Sequence, residues 1–111
     1  MSPQQSLEKK YAECPVVQTL EEIGSRWRMT VIHVLREGDL RFNELKRATG
    51  ANSQTLSRVL DDLDEKDYVT REVEEESPVA VYYSLTPKGE ELLSAFDAIH
   101  EWGEKWVIDG K

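Results

Sequence analysis

RFNELKRATGANSQTLSRVLDDLDEKDYVTREVEEESPVAVYY, residues 41–83, is the stretch on which the fold turns. Leu45 and Ala48 read as a short helix that starts near Asn43 and that Gly50 closes. Asn52 or Ser53 then opens a second helix, since either side chain accepts from an orphan amide. In that helix Leu56, Val59, Leu60 and Leu63 recur at i, i+3, i+4 and i+7, a buried stripe. So short a connection, with a glycine in it, makes the two helices cross sharply, which is the helix-turn-helix signature. After Lys66-Asp67 the period changes from helical to alternating. Tyr68, Thr70 and Glu72 alternate with Val69, Arg71 and Val73, and Val79, Val81, Tyr83 and Leu85 alternate with Ala80, Tyr82 and Ser84. Glu74-Glu75-Glu76-Ser77-Pro78 is the polar tip of the resulting hairpin. Helix, turn, helix and hairpin in that order predict a winged helix-turn-helix, a module commonly used to set one helix in the major groove of DNA.

Working outward, Met1–Glu13 is polar and reads as a flexible arm, residues 1–13, with Leu7 and Tyr11 as its anchors. Cys14-Pro15 starts the next helix, because proline at the first helical position has no amide hydrogen to lose. Val16, Leu20 and Ile23 follow at helical spacing and Gly24 ends the run. A second stripe, Trp27, Val31, Val34 and Leu35, runs to Arg36 and breaks at Glu37-Gly38-Asp39. Leu40-Arg41-Phe42 has room for one small strand. Thr86 caps a final helix with Pro87 at its first position, and Leu92, Leu93, Phe96, Ile99, Trp102 and Trp106 lie along it. The expected fold is mainly α with a small β-hairpin wing (α+β), one domain over residues 14–108. Within it lie a helix-turn-helix at 42–66, a wing at 68–85 and a C-terminal helix at 87–108.

Composition limits function. The net charge is −8 and is unevenly spread. Residues 41–60 carry Arg41, Lys46, Arg47 and Arg58 against Glu44, a local +3, whereas residues 61–78 carry nine acids against two bases, a local −7. The only positive island therefore coincides with the helices that would read DNA, and an acidic surface of this size also suits high intracellular salt. No apolar run approaches the roughly 20 residues needed to span a bilayer, and the N-terminus lacks the apolar stretch of a secretory signal, so the protein is expected to be cytoplasmic and free of the membrane. There is no Gly-rich phosphate loop and no paired nucleophile and base, so no enzyme and no cofactor are expected. His33 and His100 stand apart from any ligand cluster, so no metal is expected either.

On the second helix of the motif, Gln54, Ser57, Arg58 and Asp61 share an outward face with Ser53 and Thr55 at its tip. Arginine grips guanine bidentately, glutamine pairs with adenine, and Ser or Thr serves base or phosphate. Taken alone, a solvated helix face would look the same; its place as second helix of the motif gives it meaning. The segments Cys14-Pro15-Val16, Leu20, Ile23-Gly24, Trp27, Arg41-Phe42-Asn43-Glu44-Leu45, Leu56-Ser57, Leu60, Leu63, Val69-Thr70-Arg71 and Tyr83-Ser84-Leu85-Thr86-Pro87-Lys88-Gly89 together resemble the HxlR-type regulators, winged-helix transcription factors related to the MarR group. The resemblance implies a sequence-specific homodimer on double-stranded DNA at a pseudo-palindromic operator, repressor or activator. It places Arg41 and Asn43 beside backbone phosphates, Ser53, Gln54, Thr55, Ser57 and Arg58 on the reading helix, and Arg71 on the first wing strand. The chain departs from the family pattern in having Val59 where a base is frequent, Asp67-Tyr68 where Gly-Leu is usual, and Ala80 where the wing often carries arginine. A wing with three glutamates should repel phosphates unless salt screens them.

Two further expectations concern assembly and control. Val16 and Leu20 on one helix, and Leu92, Phe96, Ile99, Trp102 and Trp106 on the last, exceed what one small domain needs to cover and form a dimer interface. Cys14, the only cysteine, sits where a helix dipole favours the thiolate, although Glu13 beside it acts the other way. The resemblance adds that some members sense oxidants or electrophiles at this cysteine, so a redox or small-molecule effector is open. The competing reading is a winged-helix protein-protein interaction module without DNA binding, docking through its acidic wing.

Overall fold

The reason the chain folds around its third, fourth and fifth helices is the spacing of its aliphatic residues. In the computed structural model, which describes residues 2–75 and 79–108, the elements run α1 (Pro3–Ala12), α2 (Pro15–Ile23), α3 (Arg26–Val34), β1 (Leu40–Arg41), α4 (Phe42–Thr49), α5 (Ser53–Glu65), β2 (Val69–Glu74), β3 (Ala80–Leu85), α6 (Pro87–Glu91) and α7 (Leu93–Gly103). Val31 and Ile32 of α3, Leu45 of α4, Leu56, Leu60 and Leu63 of α5, and Val69 of β2 are almost wholly removed from water. Burying each such side chain contributes roughly 1.5–3 kcal/mol. The α5 stripe is buried as its spacing predicts, Val59 included. Ile32, outside the expected α3 stripe, is as buried as Val31, because α3 is covered on two sides. Trp27 is half-buried against this core, with the Arg26 guanidinium 4.5 Å above its ring.

Local chemistry sets the helix ends. Ser25 accepts from the Arg28 amide and Asn52, rather than Ser53, from the Thr55 amide. Gly50 ends α4 with φ 77°, a left-handed value that glycine adopts without penalty. The end of α5 is also left-handed, but at Asp67, φ 67°. There the Tyr68 amide donates to the Leu63 carbonyl and the Asp67 amide to the Asp64 carbonyl, the two bonds of a Schellman ending.

The three strands form an antiparallel sheet in the order β1-β3-β2. The hairpin register pairs Val69 with Leu85, Arg71 with Tyr83 and Glu72 with Tyr82, while β1 pairs Leu40 with Tyr83 and Arg41 with Tyr82. The two-residue β1 matches the small strand expected at Leu40–Phe42, but its partner was not legible in the sequence. Of the expected wing tip, residues 76–78 lie outside the described residues.

Three expectations are corrected. Residues 3–12 are helical, with Ser2 and Gln5 forming a reciprocal capping box, and Leu7 and Tyr11 do not anchor the segment, being about half exposed. The C-terminal helix is not continuous: it is stepped at Leu92 between α6 and α7 and ends in a π turn over Glu104–Ile108. Phe96 faces inward rather than toward a partner; it is 6% exposed and meets the His33 ring edge-on at 5.9 Å.

Candidate nucleic-acid interface

The N-terminal half of α5 presents Ser53, Gln54, Ser57 and Arg58 to solvent, with Thr55 partly covered. The buried stripe Leu56, Val59, Leu60 and Leu63 fixes which way this face turns. Asp61 is exposed one turn beyond Arg58, so the sign of the surface changes along the helix. On α4 and the strand before it, Arg41, Phe42, Asn43, Glu44 and Arg47, with Asp39, meet residues 79–82 of the wing across an open concavity of about 720 Å3. A second hollow joins Asn43, Lys46 and Arg47 to Gly50 and Ala51 of the turn. Among the described residues, Arg41, Lys46, Arg47, Arg58 and Arg71 make no ion pair, whereas Arg28 and Arg36 are paired with Asp62 and Asp97 at 3.1 and 2.7 Å. The bases of the sequence's positive island are thus exposed and make no ion pair among the described residues.

Not every expected residue joins it. Successive side chains on a strand point to opposite faces, and directly paired residues share a face. Arg41 therefore lies with Tyr82 on one side of the sheet and Arg71 with Tyr83 on the other. Arg41 donates from Nε and Nη2 to the Tyr82 hydroxyl at 3.2 and 2.9 Å, and its backbone amide donates to Glu44 at 2.9 Å. The hydrogen bond to Tyr82 raises the guanidinium above its ordinary value. Sequence reasoning missed Tyr82 because its face depends on β1 pairing with β3. It underused Arg47, although the local +3 had already marked it.

Behind the site a polar network fixes the far end of α5. The Tyr68 hydroxyl donates to Glu22 Oε1 at 3.0 Å, Lys88 Nζ donates to the Lys66 carbonyl at 2.7 Å and lies 4.2 Å from the Tyr68 ring, and Arg28 spans from the Glu22 carbonyl to Asp62. Burial, with the bond to Glu22, pushes the Tyr68 hydroxyl up to about 12. Thr86 donates to the Asp67 carbonyl at 2.6 Å and accepts from the Gly89 amide, and a side chain at Gly89 would collide with the Tyr68 carbonyl. The Leu-Thr-Pro-Lys-Gly segment thus acts as a staple across the α5–β2 turn.

Cys14 caps α2 through its backbone and is partly exposed. Val16 and Leu20 on α2, Ile99 and Trp102 on α7, and Trp106, Val107 and Ile108 in the π turn are all more than half exposed, while Leu92 is half-buried. Burial, reinforced by the neighbouring Arg36 charge, lowers the pKa of His33, which is neutral at pH 7 and packs on Phe96. Among the described residues no group of three or more His, Cys, Asp or Glu could hold a metal ion, and no helix is long and apolar enough to cross a membrane.

Comparisons with known proteins agree with this geometry. An HTH-type transcriptional regulator of Methanothermobacter thermautotrophicus is 37% identical over 94 residues, covering 84% of this chain and 72% of its own. The regulator YodB of Bacillus subtilis is 34% identical over 99 residues, 87% of this chain and 88% of its own. The reduced form of YodB superposes with a TM-score of 0.76 at 32% identity, over 88% of this chain and 98% of that one. The redox regulator HypR in its reduced form superposes at 0.78 and 33% identity, over 88% of this chain and 100% of that one. The HxlR-like helix-turn-helix family matches residues 22–110. The helix-turn-helix of α4 and α5, the hairpin wing that follows it and this match make the chain a member of the HxlR-like family of helix-turn-helix transcriptional regulators, not an enzyme.

Proposed function

We propose that this regulator is a homodimer that sets one α5 into the major groove of each half of a pseudo-palindromic operator and represses the adjoining gene. The observation carrying this reading is the uncovered polar face of α5, together with the exposed, unpaired bases of α4 one turn earlier in the chain. In it Ser53, Gln54, Thr55, Ser57 and Arg58 meet base edges, while Arg41, Asn43, Lys46 and Arg47 meet phosphates. Arg71, on the other face of the sheet, meets a separate stretch of backbone. Glu74 and Glu75, further toward the tip than Arg71, keep that end of the wing off phosphates at low salt.

The dimer buries Val16 and Leu20 with Ile99, Trp102 and Trp106, helped at the edge by Leu92. YodB has been solved after diamide treatment and HypR in an oxidised form. A thiol at the start of α2, within the apolar surface that pairs, gives oxidants a route to the dimer. With one cysteine, the oxidised product is a disulfide to the second copy's cysteine or to a small thiol.

The test is a titration against DNA upstream of the protein's own gene, with random DNA as competitor, at several salt concentrations. Binding should be saturable, outcompete random DNA, and weaken about 10³-fold between roughly 50 and 200 mM salt for about six phosphate contacts. Transcription from the occupied promoter should fall; a rise would make the protein an activator. No binding at low salt by an intact dimer would refute the operator reading and favour protein docking through the acidic wing.

A further inference from the structure

We propose that Tyr82 is a positioning residue for DNA binding, holding the Arg41 guanidinium at the mouth of the groove between α4 and the wing without neutralising it. This role rests on the operator reading. Arg41 ends β1 and Tyr82 faces it directly across β3, so the backbone register, and not a flexible loop, brings the two together. The hydroxyl accepts from both Nε and Nη2, and the guanidinium carbon lies 5.2 Å from the ring centroid.

An arginine has five N–H donors, so roughly three remain for a phosphate after two are given to Tyr82. A carboxylate in the same place would hold the arginine equally well but cancel its charge. A hydroxyl is neutral, so the arginine is oriented and its field survives. An exposed arginine gives up rotamer freedom when it grips a ligand; one already tied to a strand has given it up beforehand. No acid makes an ion pair with the guanidinium among the described residues, neither Glu44 on α4 and Glu74 on β2, whose charges act on it, nor Asp39 in the same concavity nor Glu72 opposite Tyr82. This makes the neutral tether the contact that sets its direction.

The test is a double-mutant cycle read by operator binding and its salt slope. Tyr82→Phe keeps the ring and should weaken binding about three- to tenfold. In an Arg41→Gln background the same change should have no effect. Tyr82→Glu should reduce the salt slope by about 0.9 per protomer, as Arg41→Gln does, because the ion pair removes one phosphate contact. In the free protein, the Arg41 Nε–H resonance should shift in Tyr82→Phe while the thermal midpoint stays put. Equal losses in both backgrounds, an unchanged slope in Tyr82→Glu, or an unmoved Arg41 resonance would each overturn the role. A wild-type protein that binds no DNA while its Arg41 resonance still responds to Tyr82→Phe would refute the operator reading instead, and Tyr82's role in it with it.

Discussion

Trp102→Ala should split the proposed homodimer while leaving each protomer folded. Trp102 is 60% exposed in the single chain and belongs to neither the buried core nor the residues packed on it. A tryptophan that buries up to roughly 250 Å2 therefore has about 150 Å2 left to cover. At about 25 cal/mol per Å2 that is at most about 4 kcal/mol for each copy. Fixing the side chain costs about 0.5–1.5 kcal/mol, leaving about 2–3 kcal/mol. In a two-fold interface the same patch is used twice, so the loss is about 4–6 kcal/mol and the dimer dissociation constant rises about 10³- to 10⁴-fold. Sedimentation velocity from nanomolar to high micromolar protein reads this directly, and circular dichroism checks that helix content is kept. A variant whose dissociation constant stays within about threefold of wild type would refute the argument and put the interface elsewhere.

Arg58→Ala should lower operator affinity and relax one base position by about 1–3 kcal/mol, seen by binding to a panel of single-base variants; an unchanged profile would remove Arg58 from the reading set. Replacing Glu74, Glu75 and Glu76 with glutamine should tighten binding to random DNA at low salt, and no change would mean that the wing never nears the duplex. Tyr68 links folding to alkaline pH. Its hydroxyl stands at about 12 against the ordinary 10.0, so its stabilisation is complete below pH 10 and lost as pH rises toward 12. That loss is about 2–3 kcal/mol at most and should be missing from Tyr68→Phe in denaturant titrations at both ends of that window; equal slopes would show the phenol to be unperturbed.

The helix-turn-helix was readable because its signals are local. The i, i+3, i+4, i+7 stripe from Leu56 to Leu63, the left-handed glycine at Gly50, the cap at Asn52 and the change to alternation after Asp67 each depend on neighbours a few residues away. Family-specific segments were legible too, though not their reason. Gly89 is required by the approach of the Tyr68 carbonyl, and the position of Asp67 by a left-handed helix end, where glycine would be unstrained. The helix at Pro3–Ala12 was hidden because it buries nothing and so carries no apolar period, leaving its capping box as the one clue.

What the chain's order of residues decided was the helix-turn-helix, the hairpin after it and the uncovered face of α5, since helical periodicity and capping act over one or two turns. What folding in three dimensions decided was partnership: Phe96 went to the core while Trp102 stayed outside, Tyr82 came to hold Arg41, and Arg71 fell on the opposite side of the sheet. Those outcomes follow from helix packing and from strand pairing between residues as far apart as Arg41 and Tyr82, and a one-residue slip of a strand would turn its side chains to the opposite face.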